Sequence, residues 1–248
     1  MSSTEFNLDQ FSQAYPAGIE RSWWHVARNA VILRSFNRWL PSSSRVLEIG
    51  CGTGIVTNHL RRAGWDIRGV DLGKPTAAIL AEEHILLGVD ARDIAPESRA
   101  AIDTLAMFDV IEHIEDPVGF LKEMLDYFPN ATRVIVSVPA RMELWSNFDD
   151  HFGHFRRYDP EMLRDQFSDA GLRTVDSTYF HHLLYLIISL NNAMRRGQRE
   201  IVLRAPAPGI STALNRALGR LLHLEVKLLP ATWRGSSLLA VAERKVKA

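Results

Sequence analysis

Residues Phe108–Pro117 read FDVIEHIEDP and contain side chains that could do chemistry. Asp109, Glu112 and His113 place two carboxylates and an imidazole together, and such a set can bind a divalent cation while leaving positions open for two neighbouring hydroxyls. Without a metal, Glu112 and His113 are candidate acid–base groups, because both residue types transfer protons in enzymes. A purely structural His113 is the third interpretation.

A second dense segment, Phe148–Tyr158, reads FDDHFGHFRRY and follows an apolar run that predicts a strand. His154 is a candidate general base or a further metal ligand. Arg156 or Arg157 could hold a phosphate or a carboxylate, because a guanidinium pairs with two oxygens of such groups. The alternative is that Arg157 and Tyr158 only brace the helix that follows.

The segment Val46–Gly54, VLEIGCGTG, joins a short apolar run to closely spaced glycines. A strand, a glycine turn and a helix in this order let the backbone approach a ligand, and the helix N-terminus offers N–H groups to an anion. Counted from Gly50, a nicotinamide-dinucleotide fingerprint needs its last glycine at position 55, where the chain has Ile55. The pattern therefore favours a different ligand, and a glycine turn without a ligand is the alternative.

Acidic residues stand at or near the ends of three successive predicted strands. Asp71 ends a strand 21 residues after Gly50, where a carboxylate can accept both hydroxyls of a ribose. Asp90 follows the next strand and could accept a hydrogen bond from an adenine amino group. Either aspartate alone could be a cap or a surface residue, but together with Glu48 they predict a nucleoside-binding edge.

Strand-like and helix-like segments alternate along the chain, which predicts an α/β fold with a doubly wound parallel sheet and helices on both faces. The predicted strands are residues 45–50, 67–72, 85–89, 102–108, 132–138, 172–180 and 236–243. The predicted helices are residues 1–40, 54–63, 75–83, 117–128, 160–170, 179–194 and 210–229.

These elements divide the chain into three parts. Residues 1–41 are predicted to form an N-terminal helical cap, and residues 42–181 with 235–248 the sheet domain. Residues 182–234, which we call the helical insert, are longer than a simple connection between two strands needs. The insert is expected to cover an acceptor pocket or form a homodimer face, and peripheral contact with a membrane is the third interpretation.

Charge and cysteine content limit the binding partners and the cellular compartment that the sequence allows. The 29 basic and 29 acidic residues give zero net charge, so the chain as a whole has no electrostatic attraction to nucleic acid or to an anionic membrane, although a local basic patch could still bind either. Cys51 is the only cysteine, which excludes internal disulfides and multi-cysteine metal clusters and is typical of a reducing compartment. The N-terminus has no secretory pattern, and no run is apolar enough to span a membrane. We expect a cytoplasmic protein, with peripheral contact at the inner membrane face left open.

The segments VLEIGCGTG, GVD and VDARD, in this order and spacing, resemble class I S-adenosylmethionine-dependent methyltransferases. The resemblance covers about residues 20–180 and the final strand. It implies a Rossmann-like seven-stranded sheet with an antiparallel last strand, and S-adenosyl-L-methionine as the cofactor. The cofactor-binding residues that it implies are Glu48, Gly50, Cys51, Gly52, Gly54, Asp71, Leu72, Asp90, Ala91 and Phe108.

The resemblance also implies a role for most of these residues. The glycine loop, Gly50 to Gly54, would cradle the methionine part of the cofactor, and Glu48 would orient that loop. Asp71 would hold the ribose. Leu72, Asp90 and Ala91 would lie at the adenine, with Asp93 as a competitor for Asp90.

The segment from Asp109 to Pro117 further resembles ubiquinone-pathway O-methyltransferases and small-RNA 2′-O-methyltransferases. Those groups hold Mg²⁺ with an E-x-x-E-H cluster, which implies Asp109, Glu112 and His113 as metal ligands. The chain departs from the pattern at Asp109, where an aspartate replaces the first glutamate. The G-H-F-R-R-Y stretch and the W-W-H-V-A-R stretch of Trp23–Arg28 resemble methyltransferases of bacterial sugar and glycolipid pathways. Trp23–Arg28 would cover the cofactor or pack in the core.

These features predict an S-adenosylmethionine-dependent methyltransferase that acts on a hydroxyl of a sugar, a glycolipid or a polyhydroxylated small molecule, including a lipid-linked sugar. The predicted catalytic residues are His113, His154 and Glu112. An RNA 2′-O-methyltransferase is the first alternative, and the neutral charge makes a nucleic-acid acceptor the weaker expectation. A non-catalytic cofactor-binding partner protein is the second alternative.

Overall fold

The computed structural model describes residues 8–73, 83–195, 201 and 203–245. Its centre is one seven-stranded sheet in the order β3-β2-β1-β4-β5-β7-β6. The strands are β1 Arg45–Ile49, β2 Asp66–Asp71, β3 Ile85–Leu87, β4 Thr104–Phe108, β5 Arg133–Pro139, β6 Leu172–Phe180 and β7 Ser237–Arg244. The neighbours among β1 to β5 pair in parallel, whereas β7 is antiparallel to both β5 and β6. The predicted α/β sheet with an antiparallel last strand is therefore confirmed.

Helices cover both faces of this sheet. They are α1 Leu8–Ala14, α2 Trp23–Trp39, α3 Ile55–Arg62, α4 Pro96–Ala101, α5 Pro117–Tyr127, α6 Asn147–His151, α7 Pro160–Asp169, α8 His182–Arg195 and α9 Ile210–Leu228. Short 3-10 turns lie at Ile19–Arg21, Ala91–Asp93, Ile111–His113 and Met142–Leu144.

Two helices begin at an aspartate followed by a proline. The side chain of Asp116 accepts a hydrogen bond from the backbone N–H of Gly119 at 2.9 Å, and Asp159 accepts one from Met162 at 2.9 Å. The proline after each aspartate suits the first helical position, because it has no N–H to leave unpaired. α5 and α7 therefore start where the sequence predicts them.

The core lies in two layers, one on each face of the sheet. Along β4, Leu105 and Met107 pack with residues of α5 and α7, while Ala106 and Phe108 pack with residues of α2 and α3. All residues of β4 are buried, as expected for a central parallel strand that is covered on both faces. This packing fixes the position at which β4 ends, and therefore the position of the residues that follow it.

Three segments differ from the predicted elements. The N-terminal helix is interrupted between α1 and α2, where Pro16 precedes a left-handed Gly18 with φ +88°. Pro96 begins the unpredicted helix α4, so β4 starts at Thr104 rather than at residue 102. The helix predicted over residues 75–83 lies outside the described residues except for its last position.

The boundary between β6 and α8 also lies later than predicted. Tyr179 and Phe180 still pair with Leu238 and Ser237 of β7, so they continue the sheet instead of starting the helix. α8 therefore begins at His182, which is the first residue of the predicted helical insert.

The helical insert joins the sheet domain through α9, which packs along α2. Gly219 makes the close approach feasible, because a Cβ there would lie 2.6 Å from the Cβ of Val26. Glu225 of α9 also holds the start of α8, since its carboxylate accepts hydrogen bonds from the N–H groups of His182 at 3.0 Å and Leu183 at 3.1 Å. None of the helices in the described part of the chain is long and apolar enough to cross a membrane.

Two residues that directly follow strands have a left-handed backbone although they are not glycines. Asp109 follows β4 with φ +58°, and His181 follows β6 with φ +59°. This conformation costs roughly 1–2 kcal/mol for a residue with a Cβ. Strained residues of this kind cluster at functional sites, and both lie at the carboxyl edge of the sheet.

Candidate active site

A cavity of about 810 Å³ lies at the carboxyl ends of the parallel strands, with α1, α2 and α8 around it. This is the edge at which open α/β sheets bind ligands. The predicted site residues that line the cavity are Glu48, Gly50, Cys51, Asp71, Leu72, Asp90, Ala91, Phe108, Asp109, Glu112, His113 and His154. Gly52 and Gly54 do not line it, and they lie against Tyr15 and Ile85 instead.

The glycine loop is a tight left-handed turn. Gly50, Gly52 and Gly54 have φ values of +74°, +56° and +75°, a region that glycine adopts without a steric penalty. A Cβ on Gly52 would lie 2.3 Å from the hydroxyl oxygen of Tyr15. α3 begins directly after the loop at Ile55. The strand, turn and helix predicted from the sequence are all present.

Two carboxylates support this loop. The Asp71 side chain accepts hydrogen bonds from the backbone N–H groups of Gly52 and Gly73, each at 2.7 Å. Glu48 is buried beneath the loop and accepts a hydrogen bond from the Thr57 hydroxyl. Burial raises the pKa of Glu48 to about 7 although the Thr57 bond opposes the shift. Asp71 lines the cavity, and its contact with a ribose stays a prediction.

Asp90 has a structural role in addition to the predicted one. Its side chain accepts a hydrogen bond from the backbone N–H of Arg92 at 2.9 Å and pairs with the Arg92 guanidinium. These hydrogen bonds from Arg92 lower the pKa of Asp90 despite partial burial. Asp90 therefore caps the turn Ala91–Asp93, and its contact with an adenine stays a prediction.

The cluster with metal-binding capacity differs from the predicted one. Among the described residues it consists of Glu112, His113 and His154, whose ligand atoms lie within 4.8 Å of one another. Asp109 is outside it, because its carboxylate pairs with the buried guanidinium of Arg28 and lies 3.4 Å from the hydroxyl of Ser137. The metal-ligand set predicted from the sequence therefore changes, with His154 in the place of Asp109.

His154 belongs to a buried network whose central residue, Asp149, was not among the predicted site residues. Its Nδ1 lies 2.8 Å from Oδ1 of Asp149, a residue with no exposed surface. Arg157 donates to the same carboxylate from Nε at 2.8 Å and from its terminal nitrogen at 3.1 Å, and also to the carbonyl of Ala140 at 3.2 Å. Burial would raise the pKa of Asp149, but the hydrogen bonds of His154 and Arg157 outweigh it and lower that pKa to about 2.

Two consequences follow from this network. Asp149 is ionised at neutral pH, so it can hold the His154 ring and stabilise a proton on it. Arg157 directs its guanidinium at Asp149 of α6 and at the carbonyl of Ala140 after β5, and not at α7, the helix that it was predicted to brace. The pattern F-D-D-H before G-H-F-R-R-Y was a signal for Asp149, but the sequence alone does not separate it from Asp150.

The buried environment shifts the pKa values of Glu112 and His113 towards their neutral forms. Burial, with the charge of Asp109, raises the pKa of Glu112 well above its usual value. Burial and the neighbouring His154 lower the pKa of His113 to about 3. Oε2 of Glu112 is buried without a hydrogen-bond partner among the described residues, and a cation would satisfy it. Two imidazoles and one carboxylate suit a divalent transition metal better than Mg²⁺, which prefers oxygen ligands.

The N-terminal helices close the cavity over the glycine loop. Trp23, Trp24 and Arg28 line the cavity, and the Arg28 guanidinium lies 4.5 Å from the centre of the Trp24 ring. Neither tryptophan is fully buried, so the covering role predicted for this segment fits better than a core role. Tyr15, in the turn that follows α1, also lines the cavity. No pattern in the sequence indicated this position for Tyr15.

The mixed seven-stranded sheet and the glycine loop at the end of β1 define the class I fold of S-adenosylmethionine-dependent methyltransferases. A solved S-adenosylmethionine-dependent methyltransferase from Archaeoglobus fulgidus has a similar fold, with a TM-score of 0.52 and 18% identity over 87% of this chain and 94% of that one. A profile of the methyltransferase domain matches residues 23–177, which is more than half of the chain. The chain therefore belongs to the methyltransferase domain family.

Two curated proteins are similar in sequence, and both are ubiquinone biosynthesis O-methyltransferases. The protein of Ralstonia nicotianae is 27% identical over 139 residues, which are 49% of this chain and 58% of that relative. The protein of Acinetobacter baylyi is 25% identical over 212 residues, which are 72% of this chain and 88% of that relative. The first match thus spans less than two thirds of the relative's length.

Proposed function

We propose that this protein transfers the methyl group of S-adenosylmethionine to a hydroxyl oxygen of a polyhydroxylated small molecule, a sugar or a glycolipid. The observation that carries the proposal is the pair of Asp149 and His154 at the cavity beside the glycine loop. Asp149 engages Nδ1 of His154 at 2.8 Å, which leaves Nε2 as the ring atom that can accept a proton. The names of the curated relatives, which are O-methyltransferases, support the same choice of acceptor atom.

An oxygen acceptor needs a base, because a neutral hydroxyl is a poor nucleophile. In the proposed step the hydroxyl oxygen bonds to the methyl carbon, and the electron pair of the carbon–sulfur bond moves to the sulfur. The hydroxyl proton passes to Nε2 of His154, and neutral S-adenosylhomocysteine leaves. Asp149 stabilises the imidazolium that forms, and the hydrogen bonds of His154 and Arg157 keep Asp149 ionised, since they lower its pKa to about 2.

The cofactor is proposed to occupy the part of the cavity that the glycine loop borders. Glu48 would meet its amino group, Asp71 the ribose, and Leu72 and Asp90 the adenine. Positioning of the acceptor against the methyl group would supply much of the rate, as in other displacement reactions. The remaining proposed contacts are Gly50, Cys51, Ala91 and Phe108, whereas Gly52 and Gly54, which do not line the cavity, would shape the loop.

A metal is the second route to an activated hydroxyl. Glu112, His113 and His154 would hold a divalent cation, which would lower the pKa of a bound hydroxyl. The orphaned Oε2 of Glu112 supports this route, whereas the two imidazoles argue against the Mg²⁺ expected from the sequence. His154 could not then act as the free base, so the two routes exclude each other.

The test is transfer of tritiated methyl from S-adenosylmethionine into an extract of the source cells, followed by separation of organic and aqueous products. We expect label in a small molecule, loss of transfer in His154→Ala, and unchanged cofactor affinity in that variant by calorimetry. Asp71→Ala should instead lose cofactor binding. Retained micromolar binding in Asp71→Ala would contradict the cofactor-site assignment.

Three further results separate the alternatives. Loss of transfer with EDTA that Mn²⁺ restores would assign Glu112, His113 and His154 to a metal and remove the base role of His154. Label in a ribonuclease-sensitive fraction would indicate an RNA 2′-hydroxyl instead. Tight cofactor binding without transfer to any fraction would indicate a non-catalytic cofactor-binding protein and would contradict the proposed activity.

A further inference from the structure

The outer face of α8 is apolar and exposed. Leu186, Ile187, Leu190 and Met194 are between 56% and 68% exposed, and Leu183 at the start of the same face is 51% exposed. They lie three or four residues apart, so they form one stripe along the helix. Monomeric proteins rarely leave a contiguous apolar face of this kind in contact with water.

α9 has a second apolar face of the same kind. Ile210, Leu214, Leu221 and Leu228 are 64% to 80% exposed and point away from the side that Gly219 packs against α2. Leu218 and Leu224 add to this exposed side of the helix at 41% and 42%. The packing of α9 on the sheet domain therefore uses the opposite side and leaves these leucines without a described partner.

The two faces belong to one region of the molecule. The start of α8 is bonded to Glu225 of α9, and the Arg234 guanidinium lies 3.3 Å from the hydroxyl of Tyr185 on α8. Trp233, 55% exposed, lies in the segment between α9 and β7 beside Arg234. An exposed tryptophan next to basic residues is typical of a segment that meets the interface of a bilayer.

The helical insert carries a strong positive charge. Residues 182–234 contain eight arginines and lysines and two glutamates, a net charge of +6, whereas the whole chain has zero net charge. Arg216, Arg220 and Lys227 are exposed on α9 beside its leucines. Glu225, the acidic residue of α9, is half-buried and bonded to the N-terminus of α8, so it does not offset them.

We propose that the exposed faces of α8 and α9 dock this protein on an anionic lipid bilayer. The leucines and Trp233 would enter the interface, and the surrounding arginines and lysine would contact lipid phosphates. A nucleic acid would use the basic residues but leave the leucines in water. A second copy of the chain would bury the leucines but bring two sets of exposed arginines together, which opposes association.

The docking surface is one helix away from the cavity. Leu184 and Ile188 line the cavity from the inner side of α8, while Leu186 and Leu190 lie on its outer side. A docked protein would therefore hold its acceptor site close to the bilayer. If the proposed methyl transfer holds, a lipid-borne hydroxyl is the acceptor class that this placement favours.

The test is flotation of the full chain, without cofactor or acceptor, with two kinds of vesicle. One contains phosphatidylcholine alone, and the other includes about a quarter phosphatidylglycerol. We expect binding to the second. Leu186→Ser with Leu190→Ser, or Leu214→Ser with Leu221→Ser, should each weaken it by about tenfold or more, because the lost burial of two leucines has that size. Leu86→Ser, at an exposed site on the opposite edge of the sheet, is the matched control and should bind like the wild type.

A charge variant completes the experiment. Arg216→Glu with Arg220→Glu should lower binding to the anionic vesicles by at least about tenfold, and added salt should lower wild-type binding. Binding to neither vesicle overturns the proposal. A dimer in sedimentation that the serine variants dissociate would assign the surface to a second copy. Tight binding to an RNA oligonucleotide that the serine variants leave unchanged would assign it to nucleic acid. None of these readings depends on methyl transfer, so their failure is distinct from a failure of the proposed activity.

Discussion

The substitution Asp149→Asn should lower the free energy of unfolding by about 3–5 kcal/mol. Asp149 is fully buried, and Arg157, whose guanidinium it pairs with, is 4% exposed, so loss of the carboxylate charge leaves a buried cation without a counter-charge. Part of this loss can be calculated from the pKa shift of the Asp149 carboxyl group. Its pKa falls from 3.8 to about 2 in the folded protein, which corresponds to about 2.5 kcal/mol.

The sign of this contribution determines its pH dependence. A lowered pKa stabilises the folded state above the pKa of the unfolded chain, and the contribution is lost as the pH falls through the folded value. The Asp149 contribution should therefore be complete above about pH 5 and mostly lost by about pH 2. Wild type and variant should differ at pH 7 and converge towards pH 2.

Urea unfolding followed by tryptophan fluorescence measures the difference. Asp150→Asn is the matched control, because Asp150 is the exposed neighbour and its contact with the Trp145 indole, 2.9 Å long, needs only an acceptor oxygen that asparagine keeps. That control should change stability by less than about 0.5 kcal/mol. His154→Ala, which leaves the pair of Asp149 and Arg157 in place, should cost less than Asp149→Asn.

A loss below about 1 kcal/mol in Asp149→Asn would refute the reasoning, since an exposed ion pair has that size. The same variant should lower kcat by at least about a hundredfold, because an equivalent change in serine proteases disturbs the histidine tautomer and costs about 10⁴-fold. Normal turnover with normal cofactor affinity would remove Asp149 from the proposed mechanism.

Three further predictions concern the glycine loop and its surroundings. Burial raises the pKa of Glu48 from 4.5 to about 7, so stability should fall by roughly 3 kcal/mol as the pH rises across that range, and Glu48→Gln should flatten the profile in urea titrations. Gly52→Ala should weaken S-adenosylhomocysteine binding by at least about tenfold in calorimetry, because its Cβ would collide with Tyr15, whereas Gly64→Ala, also at a positive φ but with open space around it, should bind normally. Burial raises the pKa of the Cys51 thiol, so a disulfide reagent at pH 8 should label it only after denaturation; fast labelling of the native protein would contradict this.

The sheet and the glycine loop could be read from local sequence. β4 is a continuous apolar run, and α5 and α7 begin at aspartate–proline pairs, so short-range chemistry determines these elements. The glycine loop follows β1 in the order that its function requires. The start of α8 was harder to predict, because Phe180 remains in the sheet through a partner in β7 that is 57 positions away.

The site depends on contacts between distant residues, which local patterns do not reveal. Asp109 pairs with Arg28 across 81 positions, and this contact removes Asp109 from the metal-capable cluster that the sequence suggested. The contact between Tyr15 and Gly52 also joins residues that are distant in the sequence, so local patterns did not reveal it either. The proximity of Glu112, His113 and His154 was predictable because they lie on two segments at the same sheet edge. Their chemistry was not, because it follows from burial.

The left-handed backbone at Asp109 and His181 stores strain that substitution by glycine would release. Glycine at either position would relieve roughly 1–2 kcal/mol. The same change would remove the carboxylate that pairs with the buried guanidinium of Arg28, or the buried imidazole that lies between β6 and α8 beside Trp24. Because losses of this kind cost more than the strain, laboratory evolution for heat resistance should keep both side chains even without selection for turnover.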